Sequence, residues 1–410
     1  MTPFECRSCS APLSEVLVDL GSSPLANSYL EPEKMQQGEV YYPLCVYLCH
    51  RCWLAQLPEF ESSEGIFSDY AYFSSFSDSW LDHARRYVDA MAERFGLGEG
   101  SRVIEIASND GYLLQYFKAR NIPCLGIEPA ANVAQAAVAK GIPTRVEFFG
   151  TDCANKLAAQ GEKADLLLGN NVLAHVPNLN DFVAGLKIAL AEGGVLTMEF
   201  PHLLRLMDEN QFDTIYHEHF SYFSLVAVER VFARHGLTLF DVEELDTHGG
   251  SLRIFVRHQE DATKAVGERV NELRSRELAR GMETPGFYRD FAERVSETKR
   301  KLLAFLIQEK RAGKTIVGYG APAKGNTLLN YCGVRTDFVD YTVDRSPHKQ
   351  GRFLPGTRIP IAGPDRIRET TPDYVLILPW NLRREIMSQM ADIAEWGGRF
   401  IVAIPEVTVL

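Results

Sequence analysis

Between residues 103 and 200, short apolar runs alternate with longer stretches whose apolar positions recur every three or four residues. Runs 103–106, 124–127, 166–168 and 195–200 have the length and composition of buried strands, and helical spacing fills 132–140 and 179–191. A helical stretch over 80–95 precedes the first strand, after a polar and aromatic segment that includes Tyr70 and Tyr72. Strands alternating with helices in this way predict a parallel, doubly wound sheet. The pattern resumes after a charge-rich helical region, 262–312, that breaks near Pro285-Gly286. A second strand–turn–helix unit starts at Thr315, with strand candidates at 341–344, 374–378 and 400–404. The fold class expected is α/β, with one doubly wound domain over 66–258 and a second, Rossmann-like domain over 259–410.

Residues 1–65 follow neither pattern. They hold two Cys-x-x-Cys pairs, Cys6 with Cys9 and Cys49 with Cys52. Each pair aims two sulfurs at one point, and together they can complete a tetrahedron around Zn²⁺. Four thiolates leave no open position, so the ion would hold a small domain together and perform no chemistry. The 39 residues between the pairs exceed the spacing of a compact zinc ribbon and predict an insertion. Cys45 and His50 fit the paired pattern less well.

Composition narrows the classes. The chain is 46% hydrophobic and 24% charged, which supplies material for sizeable cores. Its net charge of −11, without a basic stripe, excludes an ordinary nucleic-acid binder. No apolar run reaches the roughly 18–20 residues that span a bilayer, and the opening residues lack the form of a signal peptide. The expectation is a cytoplasmic protein with reduced thiols and no nucleic-acid or membrane partner, its oligomeric state left open.

The segment from Val103 to Leu114, Val-Ile-Glu-Ile-Ala-Ser-Asn-Asp-Gly-Tyr-Leu-Leu, reads as strand, tight turn and helix. Small residues at such a turn let a ligand approach the backbone. The next strand ends at Glu128, where a carboxylate can accept hydrogen bonds from both hydroxyls of a ribose. A dinucleotide is one candidate ligand, but Gly-x-Gly-x-x-Gly is absent, and Asn109-Asp110 stands where a pyrophosphate favours bare backbone. S-adenosylmethionine has no pyrophosphate and tolerates polar side chains there. Asn171 and His175 follow another strand, where ligands of open α/β sheets bind. Phe148 and Phe149 can flank an adenine.

The densest polar cluster is Tyr216-His217-Glu218-His219-Phe220. Its histidines are two apart and lack the i, i+4 spacing of a zinc helix. A second polar turn is Thr247-His248-Gly249-Gly250-Ser251. Taken in order, the Cys-x-x-Cys pairs, Glu-Ile-Ala-Ser-Asn-Asp-Gly, Tyr-His-Glu-His-Phe, His-Gly-Gly-Ser and Gly-Tyr-Gly-Ala-Pro-Ala-Lys-Gly make the whole chain resemble the three-domain sugar C-methyltransferases. That group includes the 3-C-methyltransferase of the tetronitrose pathway.

The resemblance implies a zinc-binding N-terminal domain, a class I methyltransferase domain for S-adenosylmethionine, and a C-terminal domain for a nucleotide-linked 4-keto-6-deoxy sugar, methylated on carbon. It implies a catalytic set of Tyr72, His175, Tyr216, Glu218 and His219. His219 is expected to remove the proton beside the ketone, most readily at C3, with C5 attack or O- or N-methylation as alternatives. An NAD-linked sugar enzyme using the C-terminal unit is a further alternative. The expected cofactor contacts are Glu105, Ala107, Asn109, Gly111, Glu128, Pro129, Phe149 and Asn171. His248, Gly320, Ala321, Lys324, Asn326, Asp344 and Lys349 are expected around the substrate, with the turn at Pro355-Gly356. Two residues depart from the usual pattern. Ala107 replaces a glycine, a change expected to be tolerated if the turn keeps φ negative, and His202 replaces a common tyrosine, which bears on the shape of the sugar pocket.

Overall fold

Seven strands form the larger sheet: Val103–Ile106 (β1), Cys124–Ile127 (β2), Thr144–Arg145 (β3), Ala164–Asn170 (β4), Leu190–Pro201 (β5), Leu237–Leu245 (β6) and Ser251–His258 (β7). Their order across the sheet is β6-β7-β5-β4-β1-β2-β3. In this computed structural model, residues 4–62, 65, 74–76 and 78–410 are described. Strands β5, β4, β1, β2 and β3 run parallel, and β7 joins β5 and β6 by antiparallel pairing. Every residue of β1 is buried, which is why it reads as an unbroken apolar run around Glu105. The order reverses between β1 and β4, and such a switch point opens a crevice at the carboxyl ends of the strands.

The contacts divide the chain into two units. The first comprises Met1–Ser14, Cys49–His202 and Phe220–Glu283, and contains the seven-stranded sheet and both Cys-x-x-Cys pairs. The second comprises Glu15–Leu48, Leu203–His219 and Thr284–Leu410. Its sheet is built from Ile316–Tyr319 (β8), Thr342–Val343 (β9), Ile361–Ala362 (β10), Tyr374–Ile377 (β11), Arg399–Val402 (β12) and Thr408–Val409 (β13). The order is β10-β9-β8-β11-β12-β13, parallel except at the last pair. The insertion expected between the cysteine pairs belongs to this second unit, where Glu15–Ser23 and Tyr42–Leu48 pair antiparallel.

Local sequence sets the helix starts. The Asn178 side chain accepts from the Asp181 N–H at the start of Leu179–Ala189, and Ser224 accepts from Ala227 N–H at the start of Leu225–Ala233. Pro285 opens the short helix at the sequence-predicted break, and Phe291–Arg311 follows it.

His202 proves to be a packing residue. It is 1% exposed, and its Nε2 lies 2.6 Å from Oε1 of Glu277, which is itself fully buried. Glu277 also accepts from the N–H groups of Leu225 and Val226, at 2.8 and 2.9 Å. One carboxylate thus joins the end of β5 to the first turn of one helix and to the helix Glu268–Ala279 that carries it. Removing one partner of such a group strands the others away from water. Glu277→Ala should therefore lower unfolding stability by about 3–5 kcal/mol in a urea titration. A loss within about 1 kcal/mol, the scale of an exposed pair, would show that the joint contributes little.

Candidate active site and zinc centre

A cavity of about 660 Å³ opens at the carboxyl ends of β1, β2 and β4 in the first unit. This volume lies within the usual range for small-molecule sites, about 300–1,000 Å³. Ala107 and Asn109 follow β1, Glu128 and Pro129 follow β2, and Asn171 follows β4; all of them line it. The turn after β1 is left-handed, with φ +55° at Ala107, +50° at Asn109 and +74° at Gly111. The condition of a negative φ at Ala107 is thus not met, and the replacement is accommodated in the left-handed region. A left-handed residue that carries a Cβ costs roughly 1–2 kcal/mol. Here the turn is held by the Ala107 N–H donating to the Ile127 carbonyl at 2.8 Å.

Glu128 secures the same turn from the neighbouring strand. Its carboxylate accepts from Asn109 N–H at 2.8 Å and from Ala130 N–H at 2.9 Å. Each oxygen keeps a second lone pair, so the group can still accept from a ribose. Burial raises its pKa, and the two backbone donors oppose that rise. Phe148, 41% exposed, and Phe149 line the cavity with an aromatic surface suited to adenine. Carboxylate, aromatic pair and volume together fit S-adenosylmethionine.

His175 also lines the cavity, half-buried at the end of a short turn, Leu173–His175. Asn171 holds φ +56°, and its Nδ2 lies 3.1 Å from Nε2 of His248, which brings that second polar turn to the site. Glu105 and Gly111 stand apart from the cavity wall. Glu105 is fully buried, and burial raises its carboxyl well above the usual range. A Cβ on Gly111 would lie 2.4 Å from a methyl of Ile142, so this position serves packing behind the turn. Tyr72 lies outside the described residues.

The four cysteines meet as the spacing predicts. Their sulfurs lie within 4.8 Å of one another, with Cys6–Cys52 and Cys9–Cys49 at 3.5 Å. Such spacings match four thiolates about 2.3 Å from one tetrahedral ion. The two pairs adopt the same local turn. Cys6 N–H donates to Ala11 and Cys49 N–H to Leu54, and the residue after each pair, Ser10 or Trp53, is left-handed.

The second unit gathers the other polar motif. Nδ1–H of His219 donates to the Thr214 carbonyl at 2.8 Å, and the ring packs 4.0 Å from that of Tyr216, centroid to centroid. Both carboxylate oxygens of Glu218 accept from Nδ2 of Asn27 at 2.8 Å. Burial pushes the Glu218 carboxyl up to about 7, against the opposing effects of Asn27 and Lys349. The phenol of Tyr29 donates to the Ala321 carbonyl at 2.6 Å, and Nζ of Lys349 donates to the same oxygen at 2.8 Å. Asp344 accepts from Ala321 N–H at 2.8 Å. A Cβ on Gly320, at φ +90°, would lie 2.5 Å from Pro379, so only glycine fits. Lys324 donates to Asn381 at 2.9 Å and stands over the Trp380 ring. Asn326 is buried and donates its amide to the Ala26 carbonyl.

Three family models match successive parts of the chain: a zinc-binding domain over 6–67, a methyltransferase domain over 80–242 and a C-methyltransferase C-terminal domain over 246–405. The C-methyltransferase NovU of Streptomyces niveus is 38% identical over 99% of this chain and 96% of its own length. The chain belongs to the S-adenosylmethionine-dependent C-methyltransferases. Among solved structures, a methyltransferase from Anabaena variabilis is 14% identical, covering 44% of this chain and 86% of its own, with a TM-score of 0.36. The magnesium protoporphyrin IX methyltransferase of Synechocystis, with S-adenosylhomocysteine bound, is 14% identical over 43% of this chain and 82% of its own, at 0.35. No described helix of the C-methyltransferase is long and apolar enough to cross a membrane.

Sequence reading missed several residues of this C-methyltransferase. Arg7 and Glu59 line the cavity beside Asp181 and Phe182, and Asn27 and Tyr29 meet the Glu218 and Ala321 segments. Only Arg7 carried a signal, through its place inside the first Cys-x-x-Cys.

Purified C-methyltransferase should contain one Zn²⁺ per chain, and Cys49→Ser should lose it together with solubility; well-folded, zinc-free protein on metal analysis would refute the assignment. Glu128→Ala should weaken S-adenosylhomocysteine by about 1.5–3 kcal/mol in calorimetry, the scale of hydrogen bonds to a charged acceptor. Unaltered affinity would move the ribose elsewhere.

Proposed function

We propose that this C-methyltransferase acts on a nucleotide-linked 4-keto-6-deoxy sugar, at C3, by removing the proton beside the ketone. The observation that carries this reading is the tautomer of His219. A carbonyl can only accept, so the bond to Thr214 keeps the proton on Nδ1 and the lone pair on Nε2, the form a general base needs. S-adenosylmethionine, when bound, supplies an electrophilic methyl group. A sugar carbon becomes nucleophilic only after its proton leaves, so a C-methyltransferase needs a base that O-methylation does not demand.

In this reading His219 takes the proton, and Glu218 and Tyr216 position the imidazole and the sugar. His175 and Tyr72 donate hydrogen bonds to the enolate oxygen, a charge that develops only as the proton departs. The glycine turn before the helix Ala323–Cys332 receives the pyrophosphate, since helix N-termini attract anions, and Lys324, Lys349 and Asp344 border it.

The test is a panel of TDP- and GDP-linked 4-keto sugars with NMR of the product. A methyl group at C5 or on oxygen overturns the proposal. His219→Asn should keep both ligands bound while lowering turnover by about 10²–10⁴-fold, the range of a positioned general base. Deuterium wash-in at C3, without cofactor, should fall in parallel. Burial pushes the Glu218 carboxyl up to about 7, so Glu218→Gln serves as the reference. A limb of the pH profile that survives in Glu218→Gln and vanishes in His219→Asn belongs to the histidine. If His175→Asn removes that limb and His219→Asn does not, the two roles are exchanged.

A further inference from the structure

The zinc centre and the cofactor cavity share a residue. Arg7 lies between the ligands Cys6 and Cys9, and its side chain lines the cavity. We infer that Arg7 couples the two, so that zinc binding tightens the cofactor and the cofactor tightens zinc.

The route is continuous and lies within the first unit. At the metal end, the Gln56 side chain donates to Cys6 Sγ at 3.2 Å and accepts from Arg7 N–H at 2.9 Å, so the first cysteine turn is fixed on both sides of Arg7. At the cavity end, the guanidinium donates to the Leu57 carbonyl and reaches the Val176 carbonyl at 3.5 Å. Val176 lines the cavity next to His175. A second tie runs from Asn180, whose amide donates to the Arg7 and Ser8 carbonyls at 2.9 and 3.2 Å. The guanidinium also stands 5.4 Å from the centre of the Phe220 ring, and Phe220 N–H donates to the Ala174 carbonyl at 2.8 Å. The cavity wall that carries His175 is therefore fastened to the cysteine turn from two directions. Without the ion, four thiols have no reason to hold that turn, and the wall loses its anchor.

A role confined to holding the fold predicts something different. The second turn, Cys49-His50-Arg51-Cys52, supplies the comparison: Arg51 also lies between two ligands, one position further along its turn, but it is exposed and does not line the cavity. Two arginines of equal charge, each inside a ligand pair, should therefore have unequal effects on the cofactor.

The experiment uses the zinc-loaded full chain, with S-adenosylhomocysteine as probe. Calorimetry gives its affinity, and competition with a chromophoric chelator gives zinc affinity with and without it. Binding linkage is reciprocal, and couplings of this kind span roughly 5–150-fold. Wild-type zinc affinity should rise at least about fivefold with S-adenosylhomocysteine present, at the lower end of that range. Arg7→Met should retain one zinc per chain, bind S-adenosylhomocysteine about tenfold more weakly and lose most of the reciprocal effect, whereas Arg51→Met should behave as wild type. Wild-type zinc affinity indifferent to the ligand overturns the inference without any variant. So does Arg7→Met with wild-type coupling, or Arg51→Met with the same loss as Arg7→Met. If Arg7→Met does not fold, Arg7→Lys replaces it: the charge stays, the fork that spans two carbonyls is gone, and the coupling should still fall.

Discussion

The Glu128 carboxylate is the constraint on which the cofactor site depends. It sits at the end of one strand and accepts backbone donors from the turn after the adjacent strand and from its own downstream helix. Two chain segments that diverge from a parallel sheet are thereby held at one separation. The left-handed Ala107 follows from this constraint, because the chain must turn sharply enough to present Asn109 N–H to the carboxylate. Strain at Ala107 is offset by bonds on both sides of the cleft, as expected where the surrounding structure over-determines a residue.

Buried charge secures the far half of the same sheet. Glu199, near the end of β5, meets His83 at 2.9 Å and Arg253 at 2.6 Å, and its backbone carbonyl accepts from Asn171 N–H. Although burial opposes ionisation, the hydrogen bond with His83 and the charge of Arg253 hold the Glu199 carboxyl below its ordinary pKa. The turn that brings Asn171 to the cavity is thus anchored to an ion cluster on the neighbouring strand. Coulomb attraction in a buried site is strong only when every partner is present, so the cluster defines one arrangement of these strands.

Much of this was legible in the chain itself. Apolar runs marked the parallel strands because strands buried on both faces leave no polar alternation, and Glu128 was legible from its spacing after the first strand. The paired cysteines disclosed the metal because sulfur ligands must come in closely spaced turns. Long-range contacts stayed hidden. Asn27 and Glu218 are 191 residues apart, and no local pattern announces their bond. His202 resembled a pocket residue, yet its partner lies 75 residues away in a helix whose charge-rich sequence gave no sign of a buried glutamate. Backbone sign at Ala107 was equally invisible, since an alanine ordinarily avoids that region and only the tertiary bonds compel it.

The order of segments along the chain carries a consequence of its own. Each unit is assembled from three separate stretches, so the polypeptide passes between them five times. Cys9 and Cys49 belong to one unit while the hairpin between them belongs to the other. A ribosome therefore releases both ends of the metal site early, but cannot finish either unit until most of the protein has emerged. Dissection by truncation anywhere between residues 15 and 283 leaves both units incomplete. Genetic separation of one unit from the other thus calls for point variants, since neither exists as an uninterrupted length of polypeptide in any circular order of the chain.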